Sequence, residues 1–176
     1  MPRVQHEQEG PLTDPLRELA LKILWLNWGK PYRWGGDDPS SFDCSGLVIE
    51  VLQSVGLFPR GQDATADGLR KIYRMSVVAN HADAQPGDLV LFMSADGDRA
   101  IHVETVVANV NLEPEDPDGL HELYSLGASG GGSRTNTTED AWAQNAYVKM
   151  RPVASTHPRR GRVIIDPYAP PVEDVT

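Results

Sequence analysis

The chain is predicted to be an α+β domain, with helices packed against one side of an antiparallel β-sheet. Three observations carry this: helical periodicity confined to the first half, short apolar runs bounded by turn residues in the second, and no alternation of the two that would build a parallel sheet. With 176 residues and 40% hydrophobic content, the chain fits one ordinary domain with tails. A domain of about 140 to 150 residues can bury roughly two thirds of its unfolded surface, enough for a core.

Residues 1–13 are polar, contain Pro2, Gly10 and Pro11, and are expected to form a lead-in. The domain proper is expected over 14–153. Asp14 followed by Pro15 starts a helix, since the carboxylate caps free amides and proline fits the first helical position. Leu16, Leu19, Ala20, Ile23, Leu24 and Trp28 then form a stripe that Gly29 ends. The Gly- and Pro-rich stretch 30–42 is an ordered loop or extended segment with Tyr32 and Trp34 packed. A second helix runs from Cys44 to Val55, with Asp43 as its cap, Leu47, Val48, Val51, Leu52 and Val55 on its face, and Gly56 at its close. A short third helix is expected over 64–74, with Leu69, Ile72 and Tyr73 inward, although Gly68 weakens it.

Beyond it, Pro86-Gly87-Asp88 turns into a buried strand, Leu89 to Met93, joined through Asp96-Gly97 to a strand from Ile101 to Ala108. An acidic surface loop follows at 113–119, then strands over 122–128 and 146–153. Residues 154–176 are Pro-rich without apolar periodicity and are expected to run extended or to dock on a partner.

The chemistry the sequence excludes is also informative. Sixteen basic against 25 acidic residues give a net charge of -9, which repels phosphate backbones, and no stretch interleaves Lys or Arg with aromatics. Nucleic acid is therefore not an expected partner. The longest apolar run, Leu19 to Leu26, is broken by Lys22 and falls short of the ~18 to 20 residues that span a bilayer. One cysteine excludes a disulfide framework and a cysteine-rich zinc knuckle, and the histidines lack ligand spacing, so neither metal nor cofactor is expected. The glycine run 130–132 lacks a Gly-Lys-Ser/Thr ending and is read as a flexible rim near a cleft. Trp34 and Trp142 can stack on sugars, but tryptophan more often plugs a core or rim.

Cys44 in the first turn of a helix feels the positive end of the helix dipole, which favours the thiolate that attacks in cysteine chemistry. Asp43 opposes a second negative charge unless it is occupied as a cap, and a cationic imidazole is then the usual partner. By strand alternation His102 shares a face with Glu104 and Val106, opposite Ile101, Val103, Thr105 and Val107. That face is expected to turn toward the helix bearing Cys44.

Four blocks stand in order: Pro31-Tyr32-Arg33-Trp34-Gly35-Gly36, Asp43-Cys44-Ser45-Gly46-Leu47-Val48, Pro86-Gly87-Asp88-Leu89-Val90-Leu91-Phe92, and His102-Val103. Together they resemble the NlpC-type family of peptidoglycan cysteine peptidases over about residues 31–128. The resemblance implies a papain-like fold and a cysteine endopeptidase acting on peptidoglycan stem peptides, at a bond next to D-glutamate. It implies Cys44 as nucleophile, His102 as general base and acid, and Tyr32 as an oxyanion donor beside the Cys44 amide. Asp43, Ser45 and Trp34 would line the substrate pocket. The pattern departs in two places: Glu104 stands where glycine is usual, and Gly127 where the third polar residue is expected. Ser125, Glu104 or a backbone carbonyl are left to orient the imidazole, although a strand carboxylate such as Glu104 is by default solvated. An amidase or acyl transferase on the same fold, and a non-catalytic phage-tail or wall-binding module, are the competing expectations. Without a recognisable leader, release by lysis or carriage with other phage-tail proteins is the expected route to a cell wall.

Overall fold

The first helix, α1 (Pro15–Trp25), starts where its residues dictate: the Asp14 carboxylate accepts from the Leu16 amide, and proline occupies the first turn. The computed structural model describes residues 14–113, 121–157 and 160–169, so the lead-in and most of the acidic loop at 113–119 lie outside the described residues. The helix is narrower in its burial than its stripe. Only Ala20 and Leu24 are fully buried, whereas Leu16, Leu19 and Trp28 are about half exposed.

A two-stranded ribbon, β1 (Asp37–Asp38) and β2 (Ser41–Phe42), leads directly into α2 (Cys44–Ser54). Asp43 caps α2 by accepting from the Gly46 amide at 2.8 Å. The helix buries Gly46, Leu47, Val48, Ile49, Val51 and Leu52, more than one stripe, because it is packed on two sides. The third helix, α3 (Ala66–Ile72), is shorter than expected; Leu69 points inward, but Ile72 is 52% exposed.

The sheet contains β3 (Leu89–Met93), β4 (Ala100–Asn111), β5 (His121–Ser129), β6 (Tyr147–Pro152) and β7 (Arg162–Ile165) in the antiparallel order β6-β5-β4-β3-β7. All five residues of β3 are buried, which accounts for its uninterrupted apolar sequence. Leu89, Leu91 and Met93 join Val103, Ala100 and Ile165 beneath α2 and α3. Tyr32, Phe42, Leu126, Ala128 and Val148 pack with α1 and the other flank of α2. Val90, Phe92, Val106, Leu123 and Ile164 form a separate cluster on the far face. The architecture is thus α+β, helices laid on one face of an antiparallel sheet.

Two elements depart from expectation. Residues 162–165, in the segment expected to run extended or dock on a partner, form edge strand β7 against β3, with Ile164 and Ile165 buried. A fourth helix, α4 (Thr138–Ala143), begins with a reciprocal capping box between Thr137 and Asp140, just beyond the glycine run. No helix among the described residues is long and apolar enough to cross a membrane.

Candidate active site

The site starts from a locked corner of backbone. Gly36 donates to the Arg33 carbonyl, and the Gly36 carbonyl accepts from the Asp43 amide at 2.9 Å. A Cβ at Gly46 would lie 2.1 Å from that same Gly36 oxygen, so only glycine lets the first turn of α2 approach. Asp43 completes the corner: one carboxylate oxygen takes the Gly46 amide and the Ser45 hydroxyl, the other the Gly35 amide at 3.1 Å. Its charge is therefore spent on donors. Cys44 is half-buried at the start of the helix, where the first amides lack intrahelical acceptors.

His102 lies close enough to Cys44 for the thiol to raise the imidazole pKa. The strand alternation places it differently from expectation. Val103 faces the body of α2, while His102 lies on the opposite face, paired with Phe92 at 5.6 Å between rings. The ladder between β3 and β4 shifts register just beyond that pair, leaving Ile101 38% exposed. It is the end of α2, and not its apolar flank, that meets the imidazole.

The default for a strand carboxylate fails at Glu104. It is 0% exposed, and its side chain is engaged by three neighbours. Oε1 lies 2.9 Å from His102 Nε2 and accepts from Arg151 Nη2 at 2.7 Å, and Oε2 accepts from the Ser125 hydroxyl at 2.6 Å. Burial alone would raise the Glu104 pKa, but the bond to His102 and the charges of His102 and Arg151, with Ser125, hold it at about 2. Burial likewise works against a charged His102, yet its bonds to Cys44 and Glu104 push it up to about 9. With Nε2 committed to Glu104, Nδ1 is the ring nitrogen left for the sulfur.

Tyr32 is buried next to these groups. Burial first, then the neighbouring Cys44 and Asp43, raise its phenol above the ordinary value, so the hydroxyl stays protonated and can donate. The glycine run is docked and not a loose rim: a Cβ on Gly131 would sit 2.2 Å from the Tyr32 ring, and the Gly132 amide donates to Thr135 Oγ1 at 3.0 Å. Trp34, on the same loop as Tyr32, is 55% exposed, and Trp142 is 62% exposed, so neither plugs a core.

The structure therefore brings together Cys44, His102 and Tyr32, joins Glu104 to His102, and sets Ser125 behind Glu104. Two further side chains belong to the cluster. Arg151 reaches it from β6, opposite Ser125 in register, and the His157 ring stands 5.5 Å from that of His102. Burial, then the charges of His102 and Arg151, lower the His157 pKa. Neither residue is signalled by sequence, because Arg151 is linked to Glu104 only through strand pairing across 47 positions.

The model of the NlpC/P60 family matches residues 29–151. The chain belongs to this family. Among relatives of this NlpC/P60 domain, the murein DD-endopeptidase MepH of Escherichia coli K12 is 32% identical over 161 residues, 86% of this chain and 54% of that protein. The chain spans between 12% and 54% of the length of the curated relatives it matches. Among solved structures, NlpC2 from Trichomonas vaginalis superposes with a TM-score of 0.64 at 19% identity, covering 94% of this chain and 51% of that one. RipD from Mycobacterium tuberculosis, described as a non-catalytic NlpC/p60 domain protein adapted to peptidoglycan binding, superposes with a TM-score of 0.53 at 15% identity, covering 88% and 98%. These likenesses establish that the NlpC/P60 fold is shared.

Proposed function

We propose that this domain is a cysteine endopeptidase that hydrolyses peptide bonds in peptidoglycan stem peptides. The observation that carries the reading is the pairing of Cys44, at the start of α2, with the buried His102 imidazole on β4, which Glu104 holds at 2.9 Å and whose pKa Cys44 raises. The endopeptidase names of its relatives, MepH among them, point to the same substrate class.

The chemistry follows from the protons. His102 takes the Cys44 proton on Nδ1, and the thiolate attacks the scissile carbonyl carbon. The developing oxyanion is met by the Tyr32 hydroxyl and the Cys44 amide, fixed donors of a kind that can be worth about 3 kcal/mol each. The imidazolium returns its proton to the leaving nitrogen as the C–N bond breaks, leaving a thioester on Cys44. Neutral His102 then removes a proton from water, the hydroxide adds to the thioester carbon, and the C–S bond breaks as the imidazolium returns its proton to the departing sulfur, giving free thiol and a carboxylic acid that loses its proton to solvent. Trp34, Asp43 and Ser45 are the residues assigned to the substrate pocket, although Asp43 acts on substrate only through the backbone it holds.

A non-catalytic wall-binding module is the second reading, favoured by Gly127, which cannot orient an imidazole through a side chain. Defined muropeptides incubated with the protein and resolved by mass spectrometry test both, and an amidase or acyl transferase would be recognised by its different products. The expected result is new stem-peptide termini with wild type and none with Cys44→Ala at unchanged circular dichroism. Undiminished cleavage by Cys44→Ala defeats the proposal.

A further inference from the structure

We propose that Glu104 is the positioning residue of this site, holding the His102 imidazole from its own strand, and that Gly127 on the neighbouring strand is the space that admits it. The inference rests on reading Cys44 and His102 as the reacting pair.

Residues two apart on a strand project from the same face, so His-Val-Glu sets an imidazole beside a carboxylate without help from any other segment. The contact is made: His102 Nε2 to Glu104 Oε1 is 2.9 Å. A fully buried carboxylate is costly unless compensated, and this one has compensation from two further strands. Ser125 on β5 supplies a hydroxyl to Oε2, and Arg151 on β6 supplies a guanidinium to Oε1. Ser125 thereby holds the carboxylate and not the imidazole, which decides between the two side chains among the candidates for the orienting group.

Gly127 supplies the second, independent observation. A Cβ built there would lie 2.5 Å from Glu104 Cγ, 2.9 Å from its Cβ and 3.2 Å from its Cδ. Any side chain at 127 and the present Glu104 rotamer exclude each other. The glycine therefore marks a relocated orienting group, not a lost one. With Nε2–H donated to the carboxylate, the neutral ring is fixed in the tautomer whose Nδ1 lone pair faces Cys44, and the imidazolium is stabilised once the thiol proton has moved. Arg151 shares Oε1 and keeps the carboxylate from drawing that proton across.

The groups facing the ring are Cys44 from α2, Glu104 from its own strand, Arg151 from β6 and His157 from the segment after it. Long-range nitrogen–proton spectra of histidine-labelled wild type at high pH should give His102 as the Nε2–H tautomer; the Nδ1–H tautomer would overturn the proposal without any variant. In Glu104→Gln, the His102 titration should move down, and iodoacetamide alkylation of Cys44 at about pH 6 should slow by roughly tenfold or more. A part confined to packing would lower the melting temperature and leave both unchanged, and that result refutes the assignment. Gly127→Asn alone should impair alkylation, whereas adding it to Glu104→Gly should recover rate over Glu104→Gly alone; no recovery counts against Gly127 as the matching space. Because alkylation needs no peptidoglycan, a wild type that cuts no muropeptide yet gives these shifts sinks the substrate reading and sustains this one.

Discussion

Glu104 is held in its charged form chiefly by His102, and His102 in its charged form by Cys44 and Glu104, and at the scale of single residues this makes the domain's stability depend on pH in a defined way. Glu104 is held at about 2 against an ordinary 4.5, so its contribution is complete above 4.5 and is lost as pH falls toward 2. His102 is held at about 9 against an ordinary 6.5, so its contribution is complete below 6.5 and is lost as pH rises through 9. Both are present together between 4.5 and 6.5, where the urea midpoint of wild type should be highest. Glu104→Gln removes one titration and weakens the other, and its midpoint should vary less over the same acid range. An equal acid loss in variant and wild type would show that other carboxylates dominate.

Among the elements, the first turn of α2 bears most directly on the site. Its glycine touches the Gly36 carbonyl, and its capping aspartate ties the turn to the Gly35 amide. Gly46→Ala forces a methyl into backbone that cannot move as a side chain would, and should cost about 1 to 3 kcal/mol in urea unfolding. Because Cys44 is in the same turn, alkylation of its thiol should change as well; a stable variant with wild-type reactivity would refute this account of the corner. This turn was legible in advance. An acidic cap, a periodic apolar face and a closing glycine are local signals, and β3 was equally plain as five apolar residues between turns. By contrast, β7 is four residues long among prolines, too short to express alternation, and it becomes a strand only because β3 offers it a partner. The burial of Glu104 was hidden for a related reason, since its ligands Ser125 and Arg151 lie 21 and 47 positions away.

Across the molecule, Arg17 fastens the two ends of the described chain to the sheet. From α1 it reaches Asp88 at 2.6 Å and Asp166 at 2.7 Å, and its guanidinium lies 4.3 Å over the Tyr168 ring. Asp88 is 1% exposed, in the turn that opens β3. Burial lifts its pKa although the Gln85 amide and Arg17 pull the other way, so a partnerless Asp88 can take up a proton. Arg17→Ala should therefore cost about 3 kcal/mol, the lower end for breaking a buried pair, read from urea unfolding near neutral pH. A loss indistinguishable from that of an exposed pair, such as Lys22 with Glu18, would contradict the role.

The bulge in the β4–β5 ladder, between Val106 and Ala108, marks a seam where the regular pairing of two neighbouring strands is interrupted. Were the base and its anchor split across that seam, the distance between them would depend on how the irregular pairing is accommodated. Carried on one ribbon of backbone two residues apart, they travel together, and the spacing is insured by covalent geometry against the breathing of the sheet around it.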